Sequence, residues 1–244
     1  MKNRRYELMV VQDGELPLQP DGRWIAFTEH VCTSVLVWPE GTTPDSDNSL
    51  IVDPCFSERG LRRAVERLQR LGGSLDRIGQ VFVTHEHGDH VPNIPGERPM
   101  PQWLPFSCEG SDLLPGIQCH PCPGHSPDLR ALAVNTNAGS CWIVGDAVIN
   151  EAWLTHWGYY WPNGYTPEEI AETWRTVAGI LSAADVVVPG HGAAFRVTTS
   201  VIEEALANWP GAAHSCRCPT VAVSLRSRLE ALKATNHRID AGGE

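Results

Sequence analysis

No stretch of this 244-residue chain is apolar for long enough to cross a membrane, which takes about 20 consecutive apolar residues in a helix. A secretory leader is not expected. The opening Met1-Lys2-Asn3-Arg4-Arg5-Tyr6-Glu7 is basic, but the apolar run behind it is only Leu8-Met9-Val10-Val11, shorter than a signal peptide's hydrophobic segment. The expected location is therefore cytoplasmic, with no membrane partner. Positive charge is scarce: 19 Lys and Arg stand against 29 Asp and Glu, a formal net charge of −10. Phosphate backbones are bound by Lys and Arg, so no broad nucleic-acid surface is expected. The main basic concentration, Arg62, Arg63, Arg67 and Arg70, reads more simply as the solvated side of a helix. No internal repeat divides the chain.

Disulfides are not expected either. The 8 Cys lack an extracellular context and read as free thiols or metal ligands. Cys32, Cys55 and Cys141 border apolar strands and read as small core residues. Cys119-His120-Pro121-Cys122 and His214-Ser215-Cys216-Arg217-Cys218 carry metal donors, though not at the spacing of a zinc ribbon or finger.

What the chain does have is concentrated in His85-Glu86-His87-Gly88-Asp89-His90. Three imidazoles and an aspartate crowd one loop, in a protein with only 10 His. Neutral imidazole and carboxylate suit borderline cations such as zinc. The run before it, Val81-Phe82-Val83-Thr84, is apolar and β-branched and reads as a buried strand. The cluster thus begins where a strand ends, the place where α/β folds collect functional side chains. Three more strand ends repeat the pattern. Residues 116–122 lead into Pro123-Gly124-His125, residues 141–144 into Gly145-Asp146, and residues 185–188 into Pro189-Gly190-His191. In each, a Gly that permits a sharp turn precedes one ligand-type residue. A single such His would be an ordinary loop residue; four strand ends converging on one site is specific. Glu86 alternates away from His85 and His87 and reads as solvated. Thr84 reads as a strand residue in preference to a hydrogen-bond partner of a ligand.

Punctuation sets the remaining elements. Strands are expected near residues 31–38 and 50–53. A helix follows over residues 58–71, with Ser57 as N-cap, Leu61, Val65, Leu68 and Leu71 on one face and Gly72 ending it. The strand at Val81 then completes a βαβ-like step. Residues 91–115, rich in Pro and Gly, read as a long loop over the site. Thr166-Pro167-Glu168-Glu169 has the form of a capping box with Pro at the first helical position, starting a helix to about Leu181. Further helices are expected from Ser200 and over residues 221–234, with a frayed tail from Asp240.

The order HxHxDH, then His, then Asp, then His resembles the metallo-β-lactamase-fold hydrolases, over about residues 33–197. Ser49-Leu50-Ile51-Val52-Asp53-Pro54 resembles the buried strand and acidic turn that precede the metal motif there. Residues 184–192 and the following Phe195-Arg196-Val197 are similar to the small subgroup of metallo-β-lactamase domain-containing protein 1. Pattern alone supports an α/β or α+β class. The resemblance implies a four-layer αββα sandwich, and ligands spread from 85 to 191 make residues 1–244 a single metallo-β-lactamase-like domain. It also implies that His85, His87 and His125 bind one metal, that Asp89, His90 and His191 bind a second, and that Asp146 bridges them. The alternative for Asp146 is a turn residue after its strand. Two zinc ions are expected, with iron or manganese as alternatives because the bridge is a carboxylate. Two cations can share a hydroxide that is a nucleophile at neutral pH, with Asp89 orienting it as the catalytic carboxylate.

Substrate choice is less legible. Residues 152–161 hold five Trp or Tyr. Trp153, Trp157 and Tyr160 are candidate substrate contacts forming an aromatic wall; ordinary burial or a homodimer interface is the alternative. Three functions follow: hydrolysis of a small ester, lactone or thioester; phosphodiester or RNA cleavage by the same fold; and a binding protein with a vestigial site. The complete ligand set disfavours the last, and the acidic balance favours a small-molecule substrate over a polyanion.

Overall fold

A computed structural model describes residues 4–16, 30–44, 48–92, 102–103, 113–158 and 165–241. The strands are β1 (Tyr6–Gln12), β2 (Ser34–Pro39), β3 (Leu50–Val52), β4 (Gln80–Phe82), β5 (Gln102–Trp103), β6 (Gln118–Pro121), β7 (Arg130–Thr136), β8 (Gly139–Gly145), β9 (Val186–Pro189) and β10 (Phe195–Arg196). The helices are α1 (Glu58–Arg70), α2 (Glu151–Thr155), α3 (Pro167–Ala183), α4 (Thr199–Asn208) and α5 (Thr220–Ala241). Five strands in the order β1-β2-β3-β4-β5 make one sheet, and five in the order β10-β9-β8-β7-β6 make the other.

Three apolar clusters define the layers. Tyr6, Val35, Val37, Leu50, Val52 and Phe82 of the first sheet meet Leu132, Val134, Cys141, Ile143 and Val188 of the second. The opposite face of the first sheet, through Leu36, Ile51 and Val81, packs on Ala64 and Leu68 of α1. The opposite face of the second sheet, through Ala131, Val144 and Val187, packs on α3, α4 and α5 through Trp174, Ile202 and Leu225. The order is helix, sheet, sheet, helices, the expected αββα sandwich. Strands β2 and β3 are buried along their whole length, because each is covered on both faces.

The helix starts follow their caps. Ser57 accepts from the Gly60 amide at the head of α1. Thr166 and Glu169 form the reciprocal capping box of α3, with Pro167 at its first position. The face of α1 departs from the expected one. Gly60, Ala64 and Leu68 are buried, with Leu61 packed beside them, while Val65 and Leu71 are exposed. The small residues let the helix lie close to the sheet, and the larger apolar ones flank the contact. Arg62, Arg63 and Arg70 are solvent-exposed as expected, but Arg67 donates to the Val10 carbonyl and ties the helix to β1. The expected 91–115 loop includes β5, which pairs in parallel with β4; most of that loop lies outside the described residues. Helix α5 runs to Ala241, past the end expected at 234. Among the described residues no helix is long and apolar enough to cross a membrane.

Strands β3 and β4 run parallel on either side of α1, with Val52 opposite Phe82. Strands β8 and β9 are also parallel, with Gly145 opposite Pro189. These two pairings bring the carboxyl ends of strands from both sheets to one edge of the sandwich.

Candidate metal centre

All seven expected ligands meet at that edge. His85, His87, Asp89 and His90 follow β4; His125 follows β6, Asp146 follows β8 and His191 follows β9. They form two groups, His85/His87/His125/Asp146 and Asp89/His90/His191, each with its donor atoms within 4.8 Å of one another. In the first, His87 Nδ1 lies 3.0 Å from His85 Nε2 and 2.9 Å from His125 Nε2. Asp146 Oδ2 lies 3.3 Å from His125 Nε2 and 3.9 Å from His85 Nε2. In the second, Asp146 Oδ1 lies 3.2 Å from both His90 Nε2 and His191 Nε2, and Asp89 Oδ2 lies 3.5 Å from His191 Nε2. Asp146 therefore offers one oxygen to each group.

The glycines ahead of these ligands are required by geometry. Gly145 has φ 48°, and a Cβ there would sit 2.4 Å from Thr84 Oγ1. A Cβ on Gly190 would sit 2.0 Å from Asp146 Oδ1 and 2.9 Å from the Gly145 carbonyl carbon. Neither position has room for a side chain beside the aspartate.

Hydrogen bonds at the back of the rings set which nitrogen faces inward. Asp53, buried at the end of β3 with φ 46°, accepts from the Thr84 amide at 2.7 Å and from Thr84 Oγ1 at 2.7 Å. It also accepts from His90 Nδ1 at 2.8 Å. Because the Thr84 hydroxyl proton is committed to Asp53, its oxygen accepts from His85 Nδ1 at 3.0 Å. His191 Nδ1 donates to the Val31 carbonyl at 3.0 Å. His85, His90 and His191 are thus held through Nδ1 and turn Nε2 inward, the orientation of metal-ligating histidines. Thr84 is consequently a hydrogen-bond partner of a ligand and not merely a strand residue.

In the metal-free site, protons on His90 and His191 supply the positive charge that faces Asp146. Burial alone pushes His90 down, but Asp146 and Asp53 together outweigh it and hold its pKa well above the usual value. Burial and Asp146 oppose each other likewise at His191, with a net rise. Asp146 is held well below the carboxylate range: burial would raise it, and His191 and His90 prevail. Burial keeps His85 well below the usual imidazole value and puts His125 at about 4. Lone pairs and carboxylate oxygens facing each other at these distances repel unless positive charge lies between them. Donors about a metal–nitrogen distance of 2.0–2.1 Å from a tetrahedral cation are roughly 3.3 Å apart, so the donor set fits a divalent cation.

On the His87 and His125 side opens a cleft of about 400 Å³. It is lined by Ser126, Tyr165, Glu169 and Glu172 besides the two histidines and three Pro and Gly residues. Tyr165 donates to the His125 carbonyl at 2.5 Å and stacks on the His125 ring; burial pushes its phenol up to about 12.

Comparison with solved structures decides the fold. A candidate metallo-β-lactamase from Thermotoga maritima matches with a TM-score of 0.51 and 20% identity over 79% of this chain and 99% of that one. A Staphylococcus aureus protein described as a "probable metal-dependent hydrolase" matches with a TM-score of 0.54 and 14% identity, over 78% of this chain and 91% of that one. The chain has the metallo-β-lactamase fold. Among curated proteins, metallo-β-lactamase domain-containing protein 1 of Rattus norvegicus is 30% identical over 159 residues, 57% of this chain and 60% of that protein. Its Mus musculus counterpart is 30% identical over 157 residues, 57% and 58%. The matched stretches span less than two thirds of those relatives' length. No family model matches the chain. The resemblance to the fold and to this subgroup, visible in the ligand order and in residues 184–197, is thus borne out by both comparisons.

Within this metallo-β-lactamase fold the expected aromatic wall is corrected at Trp157. Its ring is buried, donates to the Ala205 carbonyl at 2.7 Å and packs edge-on against Trp174 and Trp209. It belongs to the core between the second sheet and its helices. Trp153 is half-buried in the first turn of α2, where its amide donates to Asn150, and it does not line the cleft. Tyr160 lies outside the described residues. Among the described residues, the Trp or Tyr that lines the cleft is Tyr165, which sits just ahead of the capping box and has no sequence signal beyond that. Asp53 was visible only as an acidic turn after a buried strand. His30, 3.7 Å from Asp89 through Nδ1, has no pattern around it and went unrecognised.

The cysteine clusters do not form a second metal site among the described residues. Cys119 packs between the sheets and Cys122 under the helices, so the two thiols face opposite sides of the second sheet. The seven described cysteines are free thiols. Cys32 and Cys141 are buried as expected, while Cys55 is half-exposed. Glu86 is exposed, as expected.

Proposed function

We propose that the protein is a dinuclear metal-dependent hydrolase acting on a small carbonyl ester, lactone or thioester. The carrying observation is Asp146, whose two oxygens address separate groups of buried histidines. His85, His87 and His125 would hold one ion, Asp89, His90 and His191 the other, and Asp146 would join them. Zinc suits the imidazole-rich donors, and the carboxylate bridge leaves iron or manganese as alternatives. When bound, the ions supply a nucleophilic hydroxide at neutral pH and polarise the oxygen under attack.

The chain's own groups do the rest. Asp53, Thr84 and the Val31 carbonyl fix the imidazole orientations, so the rings need not turn on binding. The buried rings exclude water from the back of the site. Asp89, with about a quarter (23%) of its side chain exposed, can accept the proton of an attacking water. The cleft beside His87 and His125 supports a small substrate. Its described lining carries two carboxylates, Glu169 and Glu172, and neither Lys nor Arg. That lining is unfavourable for a phosphodiester chain. The free thiols fit a reducing compartment such as the cytoplasm.

The test is elemental analysis followed by a substrate panel of lactones, thioesters, lactams and bis(p-nitrophenyl) phosphate. Two ions per chain and turnover of the carbonyl esters or thioesters are expected. Asp146→Ala should lower kcat far more than it changes KM, because the loss is felt in the transition state. Fewer than one tightly held ion after zinc loading would overturn the metal reading. Turnover confined to the phosphodiester would overturn the substrate class.

A further inference from the structure

Each histidine of the second group is locked from behind, but Asp89 is not. His90 and His191 are almost fully buried, whereas about a quarter (23%) of the Asp89 side chain is exposed. A ligand held by one loop at the mouth of a site needs a further contact to stand in one rotamer. Among the described residues the imidazoles that face the Asp89 carboxylate are those of His191 and of one other residue, His30, with Nδ1 3.7 Å from Oδ2.

His30 is held in place by the same peptide that orients His191. Val31, the next residue, pairs with Glu15 through two backbone hydrogen bonds, Glu15 N to Val31 O at 2.6 Å and Val31 N to Glu15 O at 3.0 Å. Its carbonyl also receives His191 Nδ1. Two residues on, the Thr33 amide donates to the Gly190 carbonyl at 2.6 Å and its hydroxyl donates to the Gly192 carbonyl at 3.1 Å. The segment carrying His30 is therefore stitched to the loop carrying His191. The His30 ring stands edge-on to His191, with centroids 6.3 Å apart, and Asp89 Oδ2 lies within reach of both rings.

We propose that His30 is a positioning residue of the second metal position: its ring stands beside the Asp89 carboxylate and keeps it turned toward His191. The proposal rests on the two-metal reading above. It assigns a role in that centre to a residue outside the HxHxDH ligand pattern.

The test is a zinc titration of the full chain against a chromophoric chelator, resolving two successive dissociation constants. Loss of an outer hydrogen-bond partner lowers metal affinity roughly 10–100-fold. His30→Ala should weaken the second ion by that factor and leave the first unchanged. His30→Gln, whose amide can still donate to Asp89, should recover most of the loss. In an Asp89→Ala background, His30→Ala should cause no further change, because the residue acts through Asp89. An unchanged second constant in His30→Ala overturns the proposal. So does equal weakening of both ions, which would mark a general role for the 30–33 segment, and so does an additive loss in the double variant. A wild-type chain that binds fewer than two ions overturns the two-metal reading itself, an outcome read before any variant is made.

Discussion

Replacing Asp53 by Asn tests whether one buried carboxylate sets the chemistry of the second histidine group. Asp53 is 1% exposed and accepts three hydrogen bonds of 2.7–2.8 Å, two from Thr84 and one from His90. Asn can still accept from the Thr84 amide, but its NH2 then takes the place of Oδ2 and faces both the Thr84 hydroxyl and His90 Nδ1. Two donors cannot face each other, so His90 is driven to carry its proton on Nε2, the atom 3.2 Å from Asp146. Nε2 then keeps the ring's only proton and no longer offers a lone pair to a metal. Removing one partner of a buried charged pair costs about 3–5 kcal/mol; Asn keeps part of the network, so about 3 kcal/mol is expected. For a chain of this length each kcal/mol moves Tm by about 2–4 °C, so the metal-free variant should melt roughly 10 °C lower. Zinc affinity should fall roughly 10–100-fold. Thermal melting of metal-free protein and chelator competition on the folded variant read the two effects separately. A folded Asp53→Asn protein with wild-type zinc affinity would refute the tautomer argument.

Stability of the metal-free protein should peak near the unfolded imidazole value of about 6.5. Below it, the unfolded chain protonates while His125, held near 4 by burial, stays neutral, so stability falls from 6.5 toward 4. Above it, His90 and His191, whose folded pKa values are raised, lose protons that the unfolded chain has already released. Stability therefore falls again as pH rises through those values, and urea midpoints across pH 4–9 check both limbs. Trp157→Ala removes a buried ring and its bond to Ala205, which should cost about 3–5 kcal/mol in chemical denaturation and leave KM for apolar-tailed and short substrates alike. Glu86→Gln changes an exposed side chain and should shift stability by no more than about 0.5 kcal/mol, with metal content and turnover unaltered.

The sequence alone determined the ligand set, because each ligand follows a strand and a turn that local chemistry specifies. An apolar β-branched run, a glycine and a single donor are readable wherever they occur, and so are the caps at Ser57 and Thr166. What only the tertiary structure decided was which side chains stand behind and beside those ligands. Thr84 alternates along β4 like any strand residue until β3 brings Asp53 against it. His30 is an isolated histidine until the Val31 carbonyl meets His191, 160 residues away in sequence. Trp157 and Tyr165 are equally aromatic in the chain, yet one turns under α4 and the other onto His125. Hydrophobic periodicity and turn chemistry act over a few residues, so they specify elements and their ends. Hydrogen-bond partners and burial across two sheets depend on register and layer contacts, which no local pattern encodes.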